Sequence, residues 1–203
     1  MHDAGADEHT VSVALGELLR VLAASRPGGV FLCLGRGAGE AGAWIVDGMD
    51  LASRLVIVVD DTQQADRLRG VIGDDLRVTV HVPDMAAFLT DVRDHRFDLI
   101  TDLNRNPSGA LARLSLVRLA LGGFFMSRGE IPALEALVSA PLPLPQEDEE
   151  APHMDTFAVT RLPADLGVTL IAHRPPRPPK KRRGGRRPRE GVTPLFSSRP
   201  RGS

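Results

Sequence analysis

The sequence predicts an α/β fold, a doubly wound and mostly parallel sheet of seven strands that ends in an antiparallel hairpin. Short apolar runs alternate with amphipathic segments at a spacing of roughly 25 residues, which is typical of β-α-β units. A glycine-rich loop follows the first apolar run, and a turn over 163–167 separates the last two. These observations predict five parallel strands with a hairpin at one edge of the sheet.

The predicted elements follow one another from residue 11 to residue 173. Val11–Ala24 carries apolar residues at three- and four-residue spacing, which predicts a helix with Thr10 as its N-cap. Short apolar runs between turn signals predict strands that are buried on both faces of the sheet. Those strands are Val30–Leu34, Leu55–Val59, Arg77–Val82, Phe97–Thr101 and Phe124–Ser127.

A helix is predicted after each of the first four strands. These helices are Gly39–Met49, Gln63–Ile72, Met85–Asp94 and Pro107–Ala120. The second and fourth of them are expected to end at glycine-containing turns, over 73–75 and 121–123. Ile131–Ser139 is a further short helix, and Thr156–Arg161 pairs with Val168–His173 in the hairpin.

Length and composition limit the class of protein. The chain of 203 residues is 42% hydrophobic, and none of its apolar runs approaches the ~18 residues that span a bilayer. Cys33 is the only cysteine, which excludes an internal disulfide, and the acidic N-terminus has no signal-peptide pattern. These features predict a cytoplasmic location. Frequent Arg, Ala and Gly, with lysine only at 180–181, favour a bacterial source.

Charge and composition divide the chain into three parts. Residues 1–9 are an acidic extension, 10–173 form the predicted domain, and 174–203 are a basic arm. The arm has 11 basic residues and one glutamate, against 14 basic and 25 acidic residues in the remainder. Because it lacks hydrophobic periodicity, the arm is predicted to be disordered. Two roles stay open for it: binding nucleic acid or another acidic partner, or folding back onto the acidic domain.

The loop from Gly35 to Gly39 is the strongest candidate for a ligand site. It joins an apolar strand to a predicted helix, and its three alternate glycines let a ligand approach the backbone where a Cβ would collide. The free N–H groups at the start of the helix would point at the same ligand. The sequence therefore predicts a cofactor loop of the nucleotide type.

Five local patterns, in this order, resemble the class I S-adenosylmethionine-dependent methyltransferases, and in particular O-methyltransferases of the catechol and caffeoyl-CoA type. The patterns are the helix 13–19, the loop 34–39 with Trp44 in the next helix, Phe97–Ile100, Leu119–Phe124 and the turn 162–168. The resemblance extends from Thr10 to His173. It implies a Rossmann-like methyltransferase fold with S-adenosylmethionine as the cofactor.

The resemblance also implies roles for residues at the strand ends. The cofactor-binding residues would be Gly35, Gly37, Gly39, Asp60, Asp84 and Met85. Asp60 would hold the cofactor ribose, although a gapless match places Val59 at that position, and Asp84 would lie near the adenine. Asp102, at the end of the fourth strand, is the candidate general base.

Several positions depart from the family pattern. Cys33 stands where the family usually has an acid, two residues before the first glycine. Metal-dependent members use an Asp after strand four and an Asp-Asn pair after strand five, and here that pair is Arg128–Gly129. A guanidinium cannot replace a carboxylate as a ligand of a divalent cation. We therefore expect no metal site.

Two other interpretations of the glycine loop stay open. Segment 37–42 fits the dinucleotide pattern G-x-G-x-x-G, but in that fold the first glycine directly follows the strand. That glycine is Gly35, which puts Glu40 at the third glycine position. A tight turn without a ligand is the remaining interpretation.

The predicted function is S-adenosylmethionine-dependent O-methyl transfer to a small molecule, without a metal. The alternative is a domain that keeps the fold for binding or scaffolding, with nucleic acid held by the basic arm. Base N-methylation is disfavoured because Asn106–Pro107 is followed by Ser108–Gly109 and the chain has no tyrosine. The methyl acceptor and the oligomeric state, including a homodimer, stay open.

Removal of residues 174–203 is expected to abolish any affinity for DNA or RNA and to leave the melting temperature nearly unchanged. The apolar side chains of the arm that are large enough to pack are Val192, Leu195 and Phe196, so it buries little surface. If about six phosphates are contacted, binding should weaken by roughly three decades between about 50 and 200 mM salt. Fluorescence anisotropy with labelled DNA measures the affinity and its salt dependence, and thermal denaturation measures the melting temperature. Salt-insensitive binding, or binding that survives truncation, would assign the interface to the domain instead.

Overall fold

The computed structural model describes residues 11–72, 75–131, 134, 157–163 and 166–175. Five helices are described: α1 Val13–Ala24, α2 Ala38–Gly48, α3 Thr62–Ile72, α4 Met85–Asp91 and α5 Gly109–Val117. The described strands are β1 Val30–Leu34, β2 Arg54–Val58, β3 Val78–His81, β4 Phe97–Asp102, β5 Leu119–Arg128, β6 Phe157–Arg161 and β7 Val168–His173.

The strands form one seven-stranded sheet in the order β3-β2-β1-β4-β5-β7-β6. The first five strands pair in parallel, and β7 pairs antiparallel with both β5 and β6. This topology confirms the predicted parallel sheet and its edge hairpin. The chain runs outward from β1 to β3 and then returns to place β4 beside β1, so the strand order reverses between these two strands. Such a switch point is where ligands bind in open α/β sheets.

Alternate strand residues feed two separate cores, which is why the strands are almost continuously apolar. Phe31 and Cys33 of β1 belong to the core that packs against α1, α2 and α3. Leu32 and Leu34 belong to the core that packs against α4 and α5. All four side chains are fully buried. Helices therefore cover both faces of the sheet and leave the carboxyl ends of the strands to their loops.

Helices α1 and α2 pack with glycine at both ends of their contact. A Cβ on Gly16 would lie 2.1 Å from the ring of Trp44, and a Cβ on Gly48 would lie 2.2 Å from the backbone oxygen of Arg20. Trp44 thus fills the space that Gly16 leaves on α1. This close approach fixes α2, and with it the glycine loop at its N-terminus, against the rest of the domain.

The buried Arg118 joins α5 to α4. Its side chain is only 4% exposed, yet its Nε donates to Leu89 O at 3.0 Å and its Nη1 to Arg93 O at 2.6 Å. Carbonyls in the last turn of a helix lack partners within the helix. Arg118 therefore meets the C-terminal end of α4, where a cation is favoured by the helix dipole.

The prediction for the segment 119–123 was wrong. It was expected to end a helix and turn the chain, but α5 ends at Val117 and β5 already begins at Leu119. Gly122 has φ of 77°, and the register of β4 with β5 shifts between Phe97 and Leu99. The Arg26 guanidinium donates to Gly122 O and lies 5.9 Å from the ring centroid of Phe124. The irregular strand is held by a contact from a distant part of the chain.

Other boundaries shift by a few residues. α1 is capped by Ser12, whose hydroxyl accepts from Leu15 N, whereas the predicted N-cap Thr10 lies outside the described residues. α4 ends at Asp91, three residues before its predicted end. Most of the predicted helix 131–139 and residues 176–203 of the basic arm also lie outside the described residues. Among the described helices, none is long and apolar enough to cross a membrane.

Gly48→Ala is expected to destabilise the domain by about 1–3 kcal/mol, because the added Cβ would collide with backbone that cannot rotate away. Helix propensity predicts the opposite sign, since alanine is favoured over glycine by up to about 1 kcal/mol. Gly70→Ala in α3 is the matched control, because a Cβ added there would have nothing within 4 Å. Urea denaturation measures both variants. Equal stability of Gly48→Ala and wild type would contradict the close α1–α2 contact.

Candidate functional site

The glycine loop leaves the carboxyl end of β1 and enters α2 directly. Gly35 has φ of 78°, a conformation that side chains disfavour, and its N–H donates to Val58 O at 2.9 Å. Gly37 is the N-cap of α2 and has no side chain to bond the first-turn N–H groups. These donors suit an anionic ligand group. The sequence prediction of a strand-loop-helix junction is confirmed, with Gly35 as its positive-φ position.

The loop after β4 lies directly against the glycine loop. A Cβ on Gly35 would lie 2.2 Å from Asn104 Nδ2, and a Cβ on Gly37 would lie 3.1 Å from Leu103 Cβ. The backbone N–H of Arg36 donates to Asn104 Oδ1 at 3.1 Å. Leu103 and Asn104 thus fill the space between the loops that follow β1 and β4.

Asp102 ends β4 beside Leu34 of β1 and is fully buried. Its Oδ1 accepts from Asn104 Nδ2 at 2.7 Å and from Asn104 N at 3.3 Å. Its Oδ2 has no hydrogen-bond partner among the described residues, and neither has the buried Oγ of Ser127, the residue opposite on β5. Burial raises the pKa of Asp102, against the lowering effect of the bonds from Asn104. Its assignment as a general base stays a prediction.

At the end of β2, Asp60 makes no hydrogen bond or ion pair with the residues that the structure describes. Val59, the gapless alternative, is fully buried in the core and cannot serve a polar ligand. Asp61 accepts from Gln63 N at 3.0 Å and Gln64 N at 3.3 Å, so it caps α3. Asp60 is exposed. The structure therefore favours Asp60 over Val59 as the polar group at this strand end.

A cleft of about 860 Å³ opens between α2 and α3, beside the glycine loop. Its lining includes Arg36, Gly39, Glu40, Asp60, Asp61, Gln64 and Arg67. Gln64 Nε2 donates to Arg36 O at 2.8 Å and so attaches α3 to the loop. Of the predicted site residues, Gly39 and Asp60 line this cleft. Gly35 and Gly37 instead face the loop after β4.

Asp84 and Met85 lie where β3 meets α4. Asp84 is the N-cap of α4, and its Oδ1 accepts from Ala87 N at 2.8 Å. Met85 is partly buried against the core on the α4 side of the sheet. Asp84 thus has a capping role that explains its presence without a ligand. Its second carboxylate oxygen is the group left for a cofactor.

The end of β5 fastens the hairpin. Gly129 has φ of 71°, and its N–H donates to Gly167 O at 2.7 Å. Thr169 Oγ1 donates to Gly129 O at 2.6 Å.

Within the described residues, no three His, Cys, Asp or Glu side chains lie close enough to share a metal ion. The lack of metal dependence remains a prediction for experiment.

Cys33 is a buried apolar residue in this structure. Desolvation by burial raises the pKa of its thiol to about 12. A thiol with so high a pKa is not a nucleophile at neutral pH. Cys33 therefore contributes packing rather than chemistry.

Asn104 and Gln64, the two amides that bond the glycine loop at Arg36, were not predicted from the sequence. Asn104 lies in the loop after β4 and Gln64 at the start of α3, where polar residues are common. Their partner, Arg36, is 68 and 28 residues away in the chain. Only the pairing of β1 with β4 and the position of α3 bring these amides to the loop, so no local pattern could have identified them.

No family model matches the sequence, and comparison with curated proteins finds no relative. Among solved structures, a methyltransferase from Geobacter sulfurreducens is similar with a TM-score of 0.63 and 19% identity, over 81% of this chain and 80% of that one. An O-methyltransferase from Bacillus cereus in complex with SAH is similar with a TM-score of 0.60 and 17% identity, over 82% of this chain and 83% of that one.

The O-methyltransferase TomG from Streptomyces achromogenes, involved in tomaymycin synthesis and solved with SAM, gives a TM-score of 0.58 and 17% identity. The match covers 83% of each chain. At such identities the likeness shows the fold. The chain has the fold of the class I S-adenosylmethionine-dependent methyltransferases, which confirms the fold that the sequence resemblance implied.

The raised pKa of Asp102 predicts how stability depends on pH. A buried acid whose pKa is raised by folding favours the folded state when protonated, and that stabilisation is lost as pH rises through the raised pKa. Compared with Asp102→Asn, wild type should lose stability from about pH 4 upward, where the unfolded aspartate ionises. Above the raised pKa the difference should be constant. Urea denaturation at several pH values tests this. A wild type that loses stability relative to Asp102→Asn as the pH falls would contradict it.

Proposed function

We propose that the protein binds S-adenosylmethionine and transfers its methyl group to an oxygen of a small molecule, without a metal ion. The main support is the position of Gly35, which has a positive φ and lies at the β1–β4 switch point, beside the N-terminus of α2, which has no side-chain cap. The similar structures include methyltransferases solved with SAM or SAH. A cytoplasmic location, expected from the sequence, belongs to the same proposal.

The residues of the site fit such a cofactor. The loop Gly35–Gly39 offers backbone N–H groups at a helix N-terminus, which suit the carboxylate of the amino-acid end. Asp60 is exposed at the end of β2 and can accept hydrogen bonds from the ribose hydroxyls. Asp84 and Met85 would contact the adenine from the start of α4.

The cofactor supplies a methyl group on a sulfonium, which an acceptor oxygen displaces in line. Such a reaction depends chiefly on positioning, so the protein needs neither a metal nor a lysine. Asp102 is the proposed base, and its raised pKa makes the carboxylate a better proton acceptor once it is ionised. Because Asp102 is fully buried behind Asn104, it can reach an acceptor only when this amide moves.

The second candidate is a domain that binds the cofactor or a partner without catalysis. Asp102 favours it, since both its burial and its bonds to Asn104 are explained by a structural role. Nucleic acid held by the basic arm is a further part of this alternative. Cofactor binding is common to both candidates, whereas methyl transfer belongs only to the first.

Gly37→Val is expected to abolish binding of S-adenosylhomocysteine, since its branched side chain would enter the 3.1 Å gap to Leu103. Calorimetry measures the affinity of wild type, Gly37→Val and the control Gly70→Ala, which lies on α3 with open space around it. Circular dichroism checks that each variant is folded. No heat from wild type at about 1 mM ligand, far weaker than ordinary cofactor affinity, would overturn the proposal.

A further inference from the structure

Asn104 occupies the crevice where the strand order reverses. Its amide touches the bare Cα of Gly35, bonds Arg36 N and is bonded to Asp102. The amide has one consistent orientation, because Arg36 N–H can only donate and the Asp102 carboxylate can only accept when ionised. Nδ2 therefore faces the acid at 2.7 Å, and Oδ1 faces the glycine loop at 3.1 Å.

These two contacts have the polarity of an amino acid's charged groups. The donor end of the amide meets a carboxylate, as an ammonium would. The acceptor end meets a backbone N–H beside a helix N-terminus, as a carboxylate would. An asparagine side chain is thus a neutral substitute for a zwitterion between the same partners.

We propose that Asn104 is an internal latch that fills the subsite for the amino-acid end of the cofactor, so that ligand and latch compete for Asp102 and the glycine loop. This inference rests on the proposed function. When the ligand binds, Asn104 leaves and Asp102 takes the ligand's ammonium, a role that excludes Asp102 as the general base. The latch therefore lowers the apparent affinity of the free protein.

A second observation supports Asp102 as the ammonium partner. Its buried Oδ2 has no hydrogen bond to any residue that the structure describes, and neither has Ser127 Oγ on the neighbouring strand. A buried carboxylate oxygen without a hydrogen-bond donor is unfavourable, because it has lost its water without replacement. An ammonium has three N–H donors, whereas the Asn104 amide gives Asp102 only one, so a zwitterion satisfies this acid better than the latch does.

The test compares wild type with Asn104→Ala, and with Asn106→Ala as the matched control, an exposed asparagine in the same loop. Asn104→Ala removes two hydrogen bonds from the closed state, about 2 kcal/mol together, which predicts roughly thirtyfold tighter binding of S-adenosylhomocysteine because about 1.4 kcal/mol is tenfold. Methionine, which carries the same charged end, should gain by a similar factor. Adenosine, which lacks that end, should bind all three proteins equally.

Calorimetry separates the outcomes. Unchanged or weaker S-adenosylhomocysteine binding by Asn104→Ala, with a wild type that binds, would overturn the latch and leave the proposed function standing. An equal gain for adenosine would also overturn it, because the loop would then merely be looser. If wild type does not bind at about 1 mM, far above ordinary cofactor affinities, both the latch and the proposed function fail.

A measurement on the wild-type protein covers the case in which Asn104→Ala does not fold. The side-chain amide protons of Asn104, observed by NMR, should exchange with solvent faster when S-adenosylhomocysteine is added. The latch predicts this loss of protection because the amide gives up Asp102. Slower exchange on addition would show that Asn104 holds the ligand rather than giving way to it.

Discussion

The parallel pairing of β1 with β4 is the constraint on which the candidate site depends. Asp98 Oδ2 accepts from Val30 N at 3.0 Å at the start of this pair, and Leu34 lies opposite Asp102 at its end. This register sends the two following loops out side by side. The contact of Asn104 with Gly35 and Arg36 follows directly from it. A slip of the pairing would separate the glycine loop from the only amide that bonds its backbone at Arg36 N within the described residues.

Acids at the strand ends of this domain divide into structural and available groups. Asp61 and Asp84 cap helices α3 and α4 with their carboxylates. Asp60 is exposed with no capping role, and Asp102 is buried with one oxygen unbonded. An acid that caps a helix stabilises the fold, whereas a buried carboxylate oxygen without a hydrogen bond destabilises it. Such an unfavourable group is expected at a functional site more than elsewhere. Asp60 and Asp102 are therefore the acids that we propose for ligand binding.

The sequence predicted the sheet well and the site only in part. A short apolar run such as Val30–Leu34 fits a strand that is buried on both faces of a parallel sheet, and the glycine loop has a local sequence pattern. Both were therefore predictable. Segment 119–123 was mispredicted because its strand is set by pairing with β4, where Phe97 lies opposite Leu119 and Leu99 opposite Phe124, and not by a local pattern. Asn104 was missed for the same reason, since its partners come together only through strand pairing. Residues with local partners are predictable, and residues that bridge distant loops are not.

A crystal structure with S-adenosylhomocysteine would show whether the ligand displaces Asn104. We expect the ligand between the loops after β1 and β4. Its charged end would lie on the glycine loop and Asp102, its ribose on Asp60, and Asn104 would be displaced. A ligand bound only in the cleft between α2 and α3, with Asn104 still bonded to Arg36 N and Asp102, would contradict the account. It would show that the switch-point crevice of this chain is closed for structural reasons.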